Sequence, residues 1–341
     1  MMRPLDHLHS IKLKIGVVIV AAVLVAAGLV VIAAKVDLPL WLGGIGAVAA
    51  ALLMVQLLAR GLTAPLRTMA EAAGDMAEGR YDRRVYTASM DEVGELAEAF
   101  NRMAAELAAV DTERRELIAN VSHELRTPIS AMQAVMENIV DGVGPADPAT
   151  MRTMLAQVER LGRLVTQLLD LSRLDARDAS LETRSFAVAP LLQAAVDEAK
   201  IGAGRAGVPS VRLELSVEPP ALEADGDPDR IRQVVANLLH NAISHSPDGG
   251  RVAVGARRNN TADSVELEVS DAGPGIAPEE ADRVFDRFYR TGSAHSADGG
   301  TGLGLAIARS IVELHGGTIE ARNGGERGCR MVVALPGDGG I

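Results

Sequence analysis

The string VSHELRTPIS, residues 121–130, sets an imidazole, a carboxylate, a guanidinium, a hydroxyl and a proline within a few positions. On a helix turning about 100° per residue, His123 lies roughly 160° round from both Val121 and Leu125. It therefore faces away from the apolar stripe to which those two belong. An outward imidazole can act as a nucleophile through Nε2, and Glu124 beside it is placed to take the Nδ1 proton. Thr127 follows one turn later on the same face. Pro128 has no N–H, so the carbonyl of Glu124 loses its helical partner and a bend is expected there. A lone exposed histidine on a helix is usually a bystander, so its meaning depends on what accompanies it.

Four further groupings suit a phosphate-bearing ligand. In DPDRIRQVVANLLHNAISHS, Asn237 and Asn241 lie four apart on one face. Their amide oxygens are hard donors of the kind Mg²⁺ takes one or two of, although such a pair is also an ordinary polar face. Asp271, Gly273 and Gly275 follow a strand pattern: the glycines admit close backbone approach, and the carboxylate could accept from an adenine amino group. A DxGxG string also marks simple turns. Phe285 and Phe288 are two of the four phenylalanines in a chain only 2% aromatic, at a spacing that equally fits helix-core packing. The run Gly299, Gly300, Thr301, Gly302, Leu303, Gly304 leads into a helix, whose free N–H groups and positive end suit a triphosphate.

The elements that must position these groups are legible in outline. Two helical patterns, residues 112–140 and 148–174, carry apolar stripes that neither could bury alone. Asp147 followed by Pro148 is a start signal for the second, whose seam runs Met151, Met154, Val158, Leu161, Val165, Leu168. A hairpin of the two, dimerised, would make a four-helix bundle. From residue 184 short strands are expected at 211–217, 251–256, 264–270 and 330–335. Helices at 190–200, 228–245 and 302–315 interleave with them, which predicts an α/β sandwich with one helical layer over a mixed sheet. No GxxxxGK[ST] string is present, against the P-loop class.

The chain has 341 residues and a formal net charge of −11, which argues against a nucleic-acid partner. Its single cysteine, Cys329, can form no intrachain disulfide, in keeping with a catalytic body in the reducing cytoplasm. Residues 15–34 and 38–59 are uncharged apolar runs of about the length needed to cross a bilayer. A turn of residues 35–37 separates them. Arg3, Lys12 and Lys14 precede the pair, and Arg60 and Arg67 follow it. The positive-inside rule then predicts two spans with both termini cytoplasmic; a cleavable signal peptide is the rival reading of the first run. Beyond them, Leu66, Met69, Ala73 and Met76 keep a helical spacing. The pattern breaks over residues 79–91 and resumes with Val93, Leu96, Phe100, Met103, Leu107 and Val110 as a heptad seam.

Two short amphipathic helices joined by a connector, with the stretch DEVGELAEAFNRM at 91–103, resemble the HAMP linker, here residues 60–112. HELRTP resembles the H box of the HisKA family of bacterial sensor histidine kinases, here residues 113–178. The order of N box, first glycine box, F box and second glycine box over residues 184–337 resembles the histidine-kinase branch of the GHKL ATPases, which have the Bergerat fold. The resemblance implies a multi-domain membrane kinase with a helical HAMP segment, a dimeric four-helix-bundle histidine domain and an α/β nucleotide domain. It makes His123 the phosphoacceptor, Glu124 the base or orienting residue and Thr127 the residue that aligns a water for phosphatase activity. ATP is implied at Asn237, Asn241, His245, Asp271, Gly273, Gly275, Phe285, Phe288, Arg290, Thr301, Gly302, Leu303 and Gly304, with Mg²⁺ on Asn241 and a mobile lid over 276–300. The partners implied are a second copy of the chain and a response regulator. With almost nothing outside the bilayer, an accessory membrane protein is a further candidate.

One departure stands out. The family commonly carries Lys or Arg and then an aromatic three and four residues after the metal asparagine; here these are Ser244 and His245. A phosphate contact is lost, which Arg287 or Arg290 could replace. Two alternatives follow: a receptor that is chiefly a phosphatase, or a GHKL ATPase or serine kinase.

Overall fold

A computed structural model describes residues 10–36, 39–87, 90–175, 181–203, 210–259, 263–290, 300–323 and 328–337. The chain divides into two compact units, Met1–Ile118 and Ala119–Ile341.

In the first unit, α1 (Ile11–Lys35) is 25 residues long and apolar along its course, enough by length and composition to cross a membrane. The second apolar run does not end where a span would. It continues into the amphipathic segment as one 38-residue helix, α2 (Leu40–Ala77), whose strongly apolar part is Trp41–Gln56. Among the described residues only α1 reaches the length and apolarity of a span, so the expectation of two is met by one. Asp37, in the turn expected between the runs, lies outside the described residues.

A small core of Met69, Ala72, Val85, Val93 and Ala97 closes the unit, with Ile11 and Phe100 packed against it. The connector strand is held by a side chain acting as a strand partner: Asn101 Oδ1 accepts from Val85 N at 3.0 Å, and its Nδ2 donates to Val85 O at 2.8 Å. Arg83 and Arg80 both bond Asp75 and hold its carboxyl below the ordinary range. The third helix, α3 (Glu92–Val140), begins at Asp91, whose Oδ1 accepts from Val93 N at 3.1 Å. The other oxygen of Asp91 meets Lys14 Nζ at 2.6 Å in a nearly dry ion pair, side chains 7% and 1% exposed. Glu92 accepts from Ile11 N at 2.8 Å and from Ser10 Oγ at 3.0 Å, so a residue of α3 caps the start of α1. The two helical patterns expected to part near residue 112 are thus one helix of 49 residues.

In the second unit, α4 (Pro148–Asp175) starts as expected: Asp147 Oδ1 accepts from Thr150 N at 2.8 Å. Beyond it come β1 (Arg184–Ala187), α5 (Val188–Ala203), β2 (Arg212–Glu218), β3 (Glu223–Gly226) and α6 (Pro228–His245). They are followed by β4 (Arg251–Asn259), β5 (Ser264–Ser270), α7 (Gly304–Leu314), β6 (Thr318–Asn323) and β7 (Cys329–Pro336). Five strands form a mixed sheet ordered β2-β4-β5-β7-β6, parallel only between β2 and β4, and β1 pairs antiparallel with β3. Alternation along the strands sends Val252, Val254, Val265, Leu267, Val269, Met331 and Val333 to one buried face. Against that face pack Leu192 and Val196 of α5, Ile231, Leu238 and Leu239 of α6, and Ile307 and Ile311 of α7. The other face carries cross-strand ion pairs, Arg257 with Glu266 and Arg330 with Glu268. This is the expected single helical layer over a mixed sheet. The strands β1, β3 and β6 were not expected: they are short, and β6 reads TIEARN, with too little apolar alternation to signal itself.

Candidate functional site

His123 is exposed on α3, with Val121 and Leu125 half-buried on the opposite side, as the helical angles require. Its imidazole makes no hydrogen bond among the described residues. Neighbouring residues on a helix diverge by about 100°, and Glu124 accordingly does not reach the imidazole. Its Oε2 instead accepts from Arg160 Nη2 of α4 at 3.2 Å. Thr127 Oγ1 donates back to the carbonyl of His123 at 3.1 Å. The helix continues through Pro128.

Across the unit, a cavity of about 360 Å³ opens between α6, the end of β5, the start of α7 and α4. One wall is α6, fixed at its start by Asp227, whose Oδ1 accepts from Asp229 N and Arg230 N at 3.1 and 3.2 Å. Buried His315 fixes it further: Nε2 accepts from Asp227 N at 3.0 Å, while Nδ1 donates to Ile311 O at 2.8 Å. Since a carbonyl can only accept, Nδ1 carries the proton and the ring is neutral. From this anchored helix Asn237, Asn241, Ser244 and His245 face the cavity. The amide nitrogen of Asn237 is buried without a partner among the described residues. His245 Nδ1 donates to Asn241 O at 2.9 Å.

At the far end, Asp271 follows β5. Its Oδ1 accepts from Gly273 N at 2.8 Å and from Cys329 N at 3.1 Å, so the carboxylate is held in one orientation by its backbone neighbours. Gly273 does not line the cavity. A Cβ there would come within 2.7 Å of His245 O, so its glycine serves the close approach of this loop to α6. Gly275, at φ +83°, does line the cavity, and Asn323 clamps the next residue by accepting from Ile276 N and donating to Ile276 O, both at 2.8 Å.

Phe285 and Phe288 are framework, while Tyr289 of the same segment lines the cavity. Phe285 is buried, and Phe288 adopts φ +62° and donates its N–H to Gly302 O at 2.9 Å. A Cβ on Gly302 would fall 2.8 Å from the Phe288 backbone. Leu303 is likewise fully buried. Thr301, Gly302 and Gly304 lie on the cavity at the start of α7, and Arg290 lines it from the other side. Gly299, and lid residues 291–299 in general, lie outside the described residues.

The fourth wall was not expected from the sequence. Arg160, Arg163 and Gln167 of α4 line the same cavity. Gln167 Oε1 accepts from Thr301 Oγ1 at 2.6 Å, and Asp170 Oδ2 accepts from Gln233 Nε2 at 2.8 Å. These residues carry no local signature, and only packing brings them to the site.

The arrangement has a polarity. One end offers a fixed carboxylate against glycine backbone, suited to the amino edge of a purine; the other offers a helix start and two asparagine amides, suited to phosphate and a hard cation. No group of three or more His, Cys, Asp or Glu that could hold a metal occurs among the described residues. The amide oxygens of Asn237 and Asn241, with oxygens brought by the ligand, are a donor set that a hard divalent ion accepts. The partnerless amide of Asn237 fits that demand, because rotation exchanges its nitrogen for its oxygen.

Three family models match the chain: the HAMP domain over residues 57–109, the His Kinase A (phospho-acceptor) domain over 113–177, and the histidine kinase-, DNA gyrase B-, and HSP90-like ATPase over 226–339. Among curated proteins it resembles the signal transduction histidine-protein kinase BaeS of Escherichia coli, 37% identical over 82% of this chain and 59% of that one. It also resembles the histidine-protein kinase/phosphatase MprB of Mycolicibacterium vanbaalenii, 34% identical over 86% of this chain and 61% of that one. The chain thus spans about three fifths of the length of these relatives. Among solved structures, the histidine kinase AdeS of Acinetobacter baumannii superposes with TM-score 0.53 at 29% identity, over 63% of this chain and 98% of that one.

Proposed function

The chain belongs to the two-component sensor histidine kinases, and from that premise we propose that it transfers the γ-phosphoryl group of ATP to Nε2 of its own His123 and then to an aspartate of a response regulator. The observation that carries this reading is the convergence of Asn237, Asn241, Asp271, Thr301, Gly302 and Gly304 on one cavity. A wall of that cavity also holds the histidine helix, through Glu124 and Arg160.

In this reading the adenine amino group donates to Asp271, the glycine loop at 273–275 lets the ring lie against backbone, and the triphosphate reaches the start of α7. Asn241 would hold Mg²⁺ with Asn237 in support, and the ion would supply charge neutralisation at the phosphates. The lone pair of Nε2 attacks the γ-phosphorus in line, the P–O bond to the β-phosphate breaks, and ADP leaves with that electron pair. The Nδ1 proton of the resulting imidazolium passes to water, with Glu124, here paired with Arg160, as the nearby carboxylate that receives it. Thr127 aligns a water during dephosphorylation of the partner. Placement and charge neutralisation supply most of the acceleration.

The finer assignments belong to the same reading. Residues 15–34 and 38–59 both cross the membrane with cytoplasmic termini, two copies pair through α3 and α4, and a membrane partner conveys the stimulus. The chain incubated with γ-³²P-ATP and Mg²⁺ should acquire acid-labile, alkali-stable label that vanishes in His123→Gln while nucleotide binding persists. Label retained by that variant would overturn the assignment.

A further inference from the structure

We infer that Arg163 of α4 is a binding residue for the terminal phosphate of the nucleotide, filling the place left by the missing cation on α6. The inference rests on the nucleotide reading of the cavity given above and deepens it.

The cavity must stabilise a ligand with about four negative charges, yet the α6 wall presents Ser244 where a cation would meet phosphate. The other arginines on the lining are engaged. Arg160 is paired with Glu124 at 3.2 Å, and Arg290 already interacts with other groups. Arg163 is exposed, lines the cavity, and has no hydrogen bond or ion pair among the described residues.

Its position along the cavity is set by its helix. Gln167 lies one turn further on the same face of α4 and bonds Thr301 at 2.6 Å, immediately before Gly302 and Gly304 open α7. Arg163 therefore lies about one helical turn from the contact at the glycine end. A second bond, Gln233 to Asp170 at 2.8 Å, fixes α4 against α6 from the other side. A guanidinium so placed can donate two parallel N–H bonds to one phosphate, with the α7 start behind that phosphate adding its own N–H groups. The sequence at Ser244 and the geometry at Arg163 account for each other: the charge has moved from the floor of the site to its wall.

The test compares affinities of the full chain in detergent micelles, with Mg²⁺, for a non-hydrolysable ATP analogue and for ADP. Arg163→Gln should weaken the analogue by about tenfold or more, as expected for loss of a charge-assisted bond, while changing ADP less than about twofold. Arg163→Lys should retain most of the discrimination. Equal loss for both nucleotides, or no loss for either, overturns the inference and leaves the nucleotide reading standing. Wild-type chain that binds neither nucleotide overturns both.

Discussion

At the scale of single residues, the site is held by groups whose protonation is fixed by geometry. Asp271 bonds the Cys329 N–H, and the thiol of Cys329 is pushed up to about 12, first by burial and second by the Asp271 charge. At pH 8 roughly one thiol in ten thousand is then ionised. Alkylation of Cys329 should accordingly run at least about a hundredfold slower in the folded chain than in urea. Asp271→Asn, which removes the second of the two causes, should speed it. A folded chain that reacts as fast as the unfolded one would contradict the burial on which this part of the site depends. The asparagine pair, Asp271 and the last glycine run were legible in the sequence because each stands in a local pattern. Glu124 was misjudged in orientation, because its partner Arg160 is remote in sequence and adjacency on a helix separates side chains rather than joining them. Phe285 and Phe288 do not line the cavity: Phe285 is buried, and the backbone of Phe288 holds Gly302.

At the scale of elements, the start of α1 is tied to the start of α3 by two kinds of contact. Lys14 and Asp91 form a nearly dry ion pair, and removing one partner leaves a buried charge. Lys14→Ala should destabilise the first unit by about 3 kcal/mol and lower its melting temperature in micelles. The carboxyl of Glu92 is held below its ordinary value of 4.5, chiefly by the Ile11 N–H it accepts. Because the folded value is lowered, the contribution of Glu92 is complete above about 4.5 and is lost as pH falls through that lower value. Glu92→Gln should remove this acid-side loss, read as a flatter melting profile below that pH. Element limits were best read where capping chemistry is explicit: α6 runs over the expected residues because Asp227 and Pro228 announce it. They failed where two helical patterns share one period, as in α3, and where a strand is short, as in β1 and β3.

At the scale of the whole molecule, the apolar stripe on α4 has too little of the chain to cover it. Leu155, Val158, Val165 and Leu169 are between 47% and 58% exposed, a pattern expected of a helix that meets a second copy. Replacing Leu155 and Val158 together by Glu should convert dimers to monomers in light scattering of the detergent-solubilised chain, whereas Glu in place of exposed Arg152 should not. No sequence pattern could say which side of α4 faces the nucleotide cavity and which is left for a partner, since both sides carry residues at helical spacing.

The two bonds from α4 to the nucleotide-binding body, Gln167 to Thr301 and Asp170 to Gln233, have a further consequence. His123 is not on the cavity lining, so under the proposed transfer the body would have to leave this arrangement to reach it. Polar contacts of this sort are worth about 1 kcal/mol each. The loss of either contact would therefore weaken the clasp severalfold. Control of such a device requires no large force, only a slight bias on how long the arm stays folded.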